Sequence, residues 1–248
     1  MPELRCVRSG LLSSSVLLDY MIIVHDLGFS YEPHSFHLHI GDLSINVRER
    51  VAWLGPSGSG KTTLLQIVAG ILTPYKGYVE TLGVDLSSLN DAARRDFRVT
   101  NVGLVFQEFE LLDYLDVLDN VLLAYRINRS LQLTSAVRDA AKNLVADIGL
   151  ADSLHRRPNQ LSHGQRQRVA VCRAMITNPK LVLADEPTAN LDPDNKHHVL
   201  DMLDAHVERS CATLIVVTHD HEVSQRFDRI IDISSTTPGQ DGGRTHDA

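Results

Sequence analysis

Three groups of residues have types and spacings that suit chemistry on a phosphorylated ligand. They contain glycines, hydroxyl groups, acids or a histidine. The first, residues 55–62, fits the pattern G-x-x-x-x-G-K-[ST]. Glycines let the backbone curl so that successive N–H groups face phosphate oxygens, and the following helix adds its positive dipole end. The pattern predicts that Lys61 reaches the β- and γ-phosphates and that the Thr62 hydroxyl binds Mg²⁺. A plain glycine-rich turn would explain neither the Lys-Thr pair nor its place between a strand and a helix.

The second group of polar residues follows two short apolar stretches. Residues 181–184 lead directly into Asp185 and Glu186, and residues 213–217 lead to Thr218 and His219. Unbroken apolar runs are typical of parallel strands covered on both faces, and open α/β sheets bind ligands at the carboxyl ends of such strands. We therefore expect Asp185 to hold Mg²⁺ through water, Glu186 to polarise an attacking water and His219 to contact a γ-phosphate. The alternative for the two acids is a solvated pair in a loop.

A third stretch, Leu-Ser-His-Gly-Gln at residues 161–165, provides another place for an anion. Ser162 is a suitable N-cap, and Gly164 falls in the first turn of the predicted helix. Helix N-termini present free N–H groups and a positive dipole end to anions. The chain therefore has a second anion site in addition to its phosphate cradle.

Patterns of apolar residues predict the elements that position these groups. Strands are expected at 22–27, 35–46, 50–54, 77–81, 102–106, 181–184 and 213–217. Helices are expected from 61 towards 69, at 116–125, 134–148 and 163–177, and from Asp192-Pro193 onward. The order indicates an α/β core interrupted by a helical insertion at about 107–173.

Length and composition bound the class of protein. The chain has 248 residues, 43% of them hydrophobic, with a formal net charge of −7, which suits one large domain or a domain with a subdomain. The acidic balance argues against a nucleic-acid partner, because affinity for the phosphate backbone requires a surplus of Lys and Arg. No apolar run approaches the ~18 residues that a membrane-spanning helix needs, so no direct span is expected.

The two ends of the chain are expected to lie outside the domain. Residues 1–20 are interpreted as a disordered extension or as preceding the true start, with the domain at 21–233. Arg5 and Arg8 before the apolar residues 11–18 imitate a signal peptide, but Asp19 interrupts that stretch and no small-x-small cleavage site follows. The tail 234–248 is rich in Ser, Thr, Gly and Asp and is expected to be disordered.

Together these motifs resemble the ATP-binding cassette (ABC) ATPases, over a span from Met21 to about Ile233. The resemblance implies a P-loop NTPase core: a mixed sheet with helices on both sides, an antiparallel β subdomain and a helical subdomain between phosphate loop and signature. In that family two cassettes pack head to tail, and the signature of each caps the γ-phosphate held by the other. It further implies ATP and Mg²⁺ as cofactors, a second copy of the chain and membrane permease subunits as partners, and a cytoplasmic location on the inner face of the membrane.

The family's ATP-binding residues carry over to this chain position by position. The phosphate loop corresponds to Gly55, Pro56, Ser57, Gly58, Ser59, Gly60, Lys61, Thr62 and Thr63. Tyr31 corresponds to the aromatic residue that stacks on adenine. Gln107 corresponds to the glutamine that touches Mg²⁺ and senses the membrane partner, and the segment 108–113 is then a candidate contact surface for that partner.

The resemblance also assigns the remaining site residues. Ser162, His163, Gly164 and Gln165 correspond to the signature. Asp192 corresponds to the dimer-contact loop, Asp185 to the metal-binding acid, and Lys61, Glu186 and His219 to the catalytic groups. His163 departs from the family, which usually has glycine there. Because Ser162 and Gly164 are the positions expected to meet phosphate, function is expected to survive, and His163 is expected to bear on closure of the dimer.

Residues 105–107, 111–112, 120–121 and 183–192 look like the lipoprotein-releasing and macrolide-exporter group. An importer, for example of amino acids, is an alternative, because importers share many of these residues. A non-transport ABC protein is another, although chromosome-type members carry long coiled coils and translation-type members usually carry two cassettes. A P-loop kinase would share Lys61 and Thr62 but not the signature.

Overall fold

The computed structural model describes residues 20–31 and 36–233. The expectations for residues 1–19 and 234–248 therefore lie outside the described part. Tyr20, which the sequence placed at the end of the extension, is the first residue of a strand and pairs with Asn46.

The described strands are β1 (Tyr20–Ser30), β2 (His37–Ile40), β3 (Leu43–Asn46), β4 (Arg50–Leu54), β5 (Lys76–Thr81), β6 (Val84–Asp85), β7 (Val102–Val105), β8 (Leu181–Asp185), β9 (Thr213–Val217) and β10 (Arg229–Asp232). The helices are α1 (Lys61–Val68), α2 (Asp91–Asn101), α3 (Val117–Val121), α4 (Leu123–Ile127), α5 (Ser135–Asp147), α6 (His163–Met175), α7 (Pro193–Ser210) and α8 (His221–Ser224).

The core of the fold is a sheet with the order β10-β4-β9-β8-β7, in which every described pair is parallel. All five residues of β8 and of β9 are buried. Both strands are therefore covered on two faces, as their unbroken apolar runs predicted. The carboxyl ends of β4, β8 and β9 meet at one edge, and this edge carries the candidate site.

Successive residues of β8 and β9 pack into two different hydrophobic cores, one on each face of the sheet. Leu181, Leu183 and Ile215 pack with α1 and the antiparallel sheet. Val182 and Val216 pack on the opposite face, against apolar residues of α6 and α7. This two-sided burial fixes the register of β8 and β9, because a slip of one residue would exchange the faces. The predicted α/β fold with helices on both sides of the core sheet is confirmed.

The antiparallel strands are gathered in a second sheet, where β1 pairs with β2 and β3 on one side and β5 on the other. The single strand predicted at 35–46 is wrong, because β2 and β3 are separated at Gly41-Asp42. The partner strand is also irregular there, since Asp26 has φ 45°. Gly77 packs so closely that an added Cβ would lie 2.3 Å from the Asp26 carbonyl oxygen. The backbones of β1 and β5 therefore require glycine at this position.

The helical insertion has a core of its own, built by α3, α5 and the middle and second half of α6. The helix predicted at 116–125 is divided at Leu122 into α3 and α4. Helix α2 was not predicted; none of its residues is fully buried, and Phe97 packs partly buried against the core. None of the helices within 20–31 and 36–233 combines the length and apolar character of a membrane span.

Candidate nucleotide-binding site

A cleft of about 490 Å³ opens at the carboxyl edge of the core sheet. It brings together residues from the phosphate-loop motif, the paired acids and the histidine after β9. Its lining consists of Tyr31, Phe36, Ser57, Gly58, Gly60, Lys61, Thr62, Thr63, Gln107, Asp185, Glu186, Val217 and His219. Residues that lie far apart in the sequence therefore converge on one cavity, at the sheet edge where the sequence predicted it.

The phosphate loop passes from β4 to α1 through three glycines with positive φ. Gly55, Gly58 and Gly60 have φ values of 153°, 78° and 95°. At Gly60 the reason is steric as well, because an added Cβ would lie 2.7 Å from Leu38 Cδ1 and 2.9 Å from Phe36 Cζ. Glycine lets the loop curl against the antiparallel sheet, and α1 then begins at Lys61 with its free N–H groups towards the cleft.

Lys61, the first residue of α1, is 7% exposed. Its Nζ donates hydrogen bonds to the carbonyl oxygens of Gly55 at 2.8 Å and Pro56 at 2.9 Å. These neutral acceptors satisfy the ammonium without neutralising its charge. The arrangement leaves a buried positive charge in the cradle for which phosphate oxygens are stronger partners.

Thr62 and Asp185 form the oxygen-rich corner of the cleft. The Thr62 hydroxyl donates to Asp185 Oδ2 at 2.7 Å. Asp185 Oδ1 is buried and accepts no hydrogen bond from any described residue. Burial raises the pKa of Asp185, and the bond from Thr62 opposes that shift. Hydroxyl and carboxylate oxygens are the donors that Mg²⁺ prefers, and the unpartnered Oδ1 is an available ligand, so the residues fit this ion.

Glu186 and His219 connect the ends of β8 and β9. His219 Nδ1 lies 2.7 Å from Glu186 Oε1. The Glu186 N–H donates to the carbonyl oxygen of Val217 at 2.9 Å. Glu186 has φ 45°, a left-handed conformation that an L-residue adopts at a cost. The strained backbone and the histidine together hold this carboxylate at the cleft.

Tyr31 and Gln107, predicted to contact adenine and Mg²⁺, both line the cleft. The Tyr31 ring is edge-on to Phe29 with centroids 4.9 Å apart, and its hydroxyl is 3.1 Å from Thr63 Oγ1. The residue is 54% exposed, so its ring is available for stacking. Gln107 is exposed at the opposite side, two residues after β7 ends.

The signature residues lie elsewhere: Ser162, His163, Gly164 and Gln165 are not among the residues that line this cleft. Ser162 is the N-cap of α6, as predicted, and its Oγ accepts from the Gln165 N–H at 3.3 Å. The Gln165 side chain in turn accepts from the Ser162 N–H at 2.9 Å. This reciprocal pair fixes the tip of α6. Within one chain, the predicted second anion site does not contribute to the cleft that contains the phosphate loop.

Asp192 is connected to the signature through Asn195, a contact that was not predicted from the sequence. Its carboxylate caps α7 and accepts from the Asn195 N–H at 3.1 Å and from Asn195 Nδ2 at 2.6 Å. The Asn195 side chain fills the space against Gly164, where an added Cβ would lie 2.7 Å from it. Gly164 is therefore required by packing as well as by any ligand.

A second missed residue is Gln167, which is 1% exposed. Its Nε2 donates to the Pro187 carbonyl oxygen at 2.7 Å. The bond joins the signature helix to the turn after Glu186. The only available signal was a polar residue inside the buried stretch of α6, and that signal does not name a partner.

Comparison with known proteins agrees with this geometry. Residues 38–189 match the family model described as ABC transporter. The chain belongs to the ABC transporter family. The lipoprotein-releasing system ATP-binding protein LolD of Anaeromyxobacter dehalogenans is 39% identical over 79% of this chain and 82% of its own length. The macrolide export ATP-binding/permease protein MacB of Rhodopirellula baltica is 41% identical over 76% of this chain, which matches 28% of that longer protein.

Solved structures give the same result. A dimeric ATP-binding cassette in a post-hydrolysis state, bound to ADP and Pi, aligns with a TM-score of 0.78 and 31% identity. The alignment covers 87% of this chain and 96% of that one. The predicted family, the P-loop NTPase fold, the ATP-hydrolysing activity and the resemblance to the lipoprotein-releasing and macrolide-exporter group are confirmed. This ABC ATPase binds ATP and hydrolyses it.

Proposed function

We propose that this ABC ATPase closes with a second copy of itself around two ATP molecules and thereby drives a membrane permease. The observation that carries the proposal is the separation of the two anion sites within one chain. The tip of α6 at Ser162 is capped and exposed, yet it does not line the cleft that holds Lys61. A head-to-tail dimer gives this helix end a phosphate to bind, namely that of the partner's nucleotide. The dimeric arrangement of the structural relative supports this reading.

We propose that Thr62, Asp185 and Gln107 hold Mg²⁺ together with the phosphates. The hydroxyl and the acid are already joined at 2.7 Å, and Gln107 lies on the same cleft. When bound, the ion neutralises charge on the β- and γ-phosphate oxygens. Lys61 and the N–H groups of the phosphate loop bind the phosphates and orient them, and they are not themselves altered in the reaction. Tyr31 provides a face for the adenine ring.

In the hydrolytic step we assign Glu186 the role of orienting water and accepting its proton. Its carboxylate is placed at the end of β8, beside the acid that fits the metal. His219 holds that carboxylate at 2.7 Å and has an exposed ring that can reach a γ-phosphate. Phosphoryl transfer requires mainly positioning and charge stabilisation, which the fixed loop, Lys61 and these two residues supply.

The type of permease is inferred from similarity to proteins named for lipoprotein release and macrolide export. We propose a permease of that type as partner, with the chain peripheral to the inner face of the cell membrane. An importer permease is the alternative. Affinity purification of the tagged chain from its native membranes, followed by mass spectrometry, tests the assignment. A co-purified permease with few spanning helices and a large extracytoplasmic domain supports it, whereas an importer permease or no membrane protein contradicts it.

A further inference from the structure

One face of helix α6 holds the segment that follows Gln107. His163, Arg166 and Arg173 are three and seven residues apart, so they share one side of the helix. His163 and Arg166 contact the Phe109 ring, and Arg173 contacts the carbonyl oxygens of Phe109 and Glu110. The signature helix therefore fixes the segment that the family resemblance places towards the membrane partner.

His163 makes the contact nearest to the signature tip. Its ring centroid lies 4.6 Å from that of Phe109, and the planes meet at 73°, an edge-to-face arrangement. Phe109 is 8% exposed, whereas His163 is itself exposed, so the histidine ring covers a buried phenylalanine from the solvent side. The Arg166 guanidinium carbon lies 5.6 Å from the same ring centroid. Arg166 Nε is buried without a hydrogen-bond partner among the described residues, and the guanidinium lies within cation–π range of the Phe109 ring.

The segment needs such support because its backbone is strained. Phe109 and Glu110 have φ values of 60° and 50°, two successive left-handed residues without a glycine. Arg173 donates to the carbonyl oxygen of Phe109 at 2.5 Å and also to that of Glu110. Burial lowers the pKa of Arg173 to about 10, so the guanidinium stays charged at neutral pH. The bend is thus held from its backbone side by Arg173 and from its side-chain side by His163 and Arg166.

We propose that His163 is a positioning residue that couples the signature tip to the segment 108–110. The proposal rests on the proposed function of the signature. When a partner's phosphate orders the first turn of α6, the His163 ring is held against Phe109. In the reverse direction, a permease that orders the segment 108–110 holds the first turn of α6 in position for phosphate. Such coupling is reciprocal by thermodynamic necessity. Glycine at position 163, usual in the family, has no ring with which to make this link.

Amide hydrogen exchange on the full chain without nucleotide tests the contact itself. We expect His163→Gly to speed exchange in peptides spanning 106–112 roughly two- to tenfold, the range for loss of one aromatic pair. His163→Phe keeps a ring edge and should exchange like wild type. Phe109→Leu should speed exchange in the first turn of α6. The double variant His163→Gly/Phe109→Leu should exchange little faster than the single variants, both at 106–112 and in the first turn of α6. Unchanged exchange in peptides from β8 and β9 shows that a variant is folded. If His163→Gly folds poorly, Phe109→Leu tests the same contact from its other side. Unchanged exchange at 106–112 in His163→Gly, or independent effects of the two substitutions, overturns the proposal.

The coupling is tested in the ATP-loaded dimer of a Glu186→Gln background, isolated by size-exclusion chromatography. We expect Mg-ATP to slow exchange at 106–112 when His163 is present and to do so much less with His163→Gly. An equal response in the two dimers overturns the coupling. If Glu186→Gln forms no dimer at all, the proposed function fails instead, and the nucleotide-free exchange experiment still decides whether His163 positions the segment.

Discussion

The Thr62 hydroxyl donates a hydrogen bond to Asp185 Oδ2 at 2.7 Å, although 123 positions separate the two residues in the chain. One residue belongs to the first turn of α1 and the other ends β8. The bond joins the phosphate loop to the sheet edge before any nucleotide is bound. It leaves Asp185 Oδ1 buried and unpartnered among the described residues, at the wall of the cleft that contains the phosphate loop.

Replacing Asp185 by Asn should stabilise the nucleotide-free protein and remove its response to Mg-ATP. Burial raises the pKa of Asp185, opposed by the Thr62 bond, so the folded chain keeps the proton to higher pH than the unfolded chain. The stability that this site contributes is present below the unfolded pKa and is lost as pH rises through the folded pKa. At neutral pH Asp185→Asn should therefore raise Tm by a few degrees.

Thermal unfolding with and without Mg-ATP, repeated across acidic pH, measures both effects of Asp185→Asn. Asp152→Asn, an exposed acid in the helical insertion, is the matched control and should behave like wild type. A full Mg-ATP stabilisation in Asp185→Asn would show that this carboxylate does not hold the metal.

Lys61→Met should weaken ATP binding by at least about tenfold, because charge-assisted hydrogen bonds contribute roughly 1.5–3 kcal/mol each. The fold should persist, since within 20–31 and 36–233 the hydrogen-bond partners of Nζ are only the carbonyl oxygens of Gly55 and Pro56. Isothermal titration with ATP gives the affinity, and the exposed Lys142→Met is the control for loss of one charge. Unaltered affinity in Lys61→Met would remove this lysine from the cradle.

His219→Ala should lower the rate of ATP hydrolysis on the order of 100-fold, the loss typical of a misplaced reacting group. The reason is that His219 alone among the described side chains is hydrogen-bonded to the Glu186 carboxylate. Steady-state phosphate release is the measurement. His221→Ala, two residues further and also exposed, should hydrolyse ATP at the wild-type rate. Comparable rates in the two variants would show that His219 does not position Glu186.

Gly164→Ala should destabilise the chain by about 1–3 kcal/mol, the usual cost of overpacking a filled contact. The added Cβ would lie 2.7 Å from the Asn195 side chain. Shortening that side chain in the double variant Gly164→Ala/Asn195→Ala should recover part of the loss. Denaturant unfolding of the two single variants and the double variant forms the cycle. Strictly additive losses would show that the two residues are not in contact.

Much of the fold could be predicted because local and global signals agree in the core. The buried strands β8 and β9 consist of unbroken apolar residues, and Asp192-Pro193 marks the start of α7 as predicted. Helix α2 was missed because its sequence is mostly polar and none of its residues is fully buried, with Phe97 only partly buried against the core. The break at Gly41-Asp42 was missed although the apolar alternation changes phase there, from residues 36, 38 and 40 to residues 43 and 45.

For the site, residue types were more predictable than conformation. The convergence of Lys61, Asp185 and His219 on one cleft follows from the rule that parallel strands present their carboxyl ends at one edge. The positive φ of Glu186 and Phe109 could not be predicted, because only tertiary contacts hold a non-glycine residue in that region. The packing of His163 on Phe109 likewise joins segments whose sequence separation gives no hint of contact.

The most direct measurement of the central claim is the mass of Glu186→Gln in solution, determined by light scattering after size-exclusion chromatography with Mg-ATP. Removal of the general base should lower hydrolysis by about 10²- to 10⁴-fold while ATP binding persists. We predict that the ATP-loaded variant elutes as a dimer with two ATP per dimer, and that Ser162→Arg in the same background returns it to a monomer. A strictly monomeric Glu186→Gln that is saturated with ATP, even beside its permease, would contradict the claim that α6 of one chain meets the nucleotide of the other.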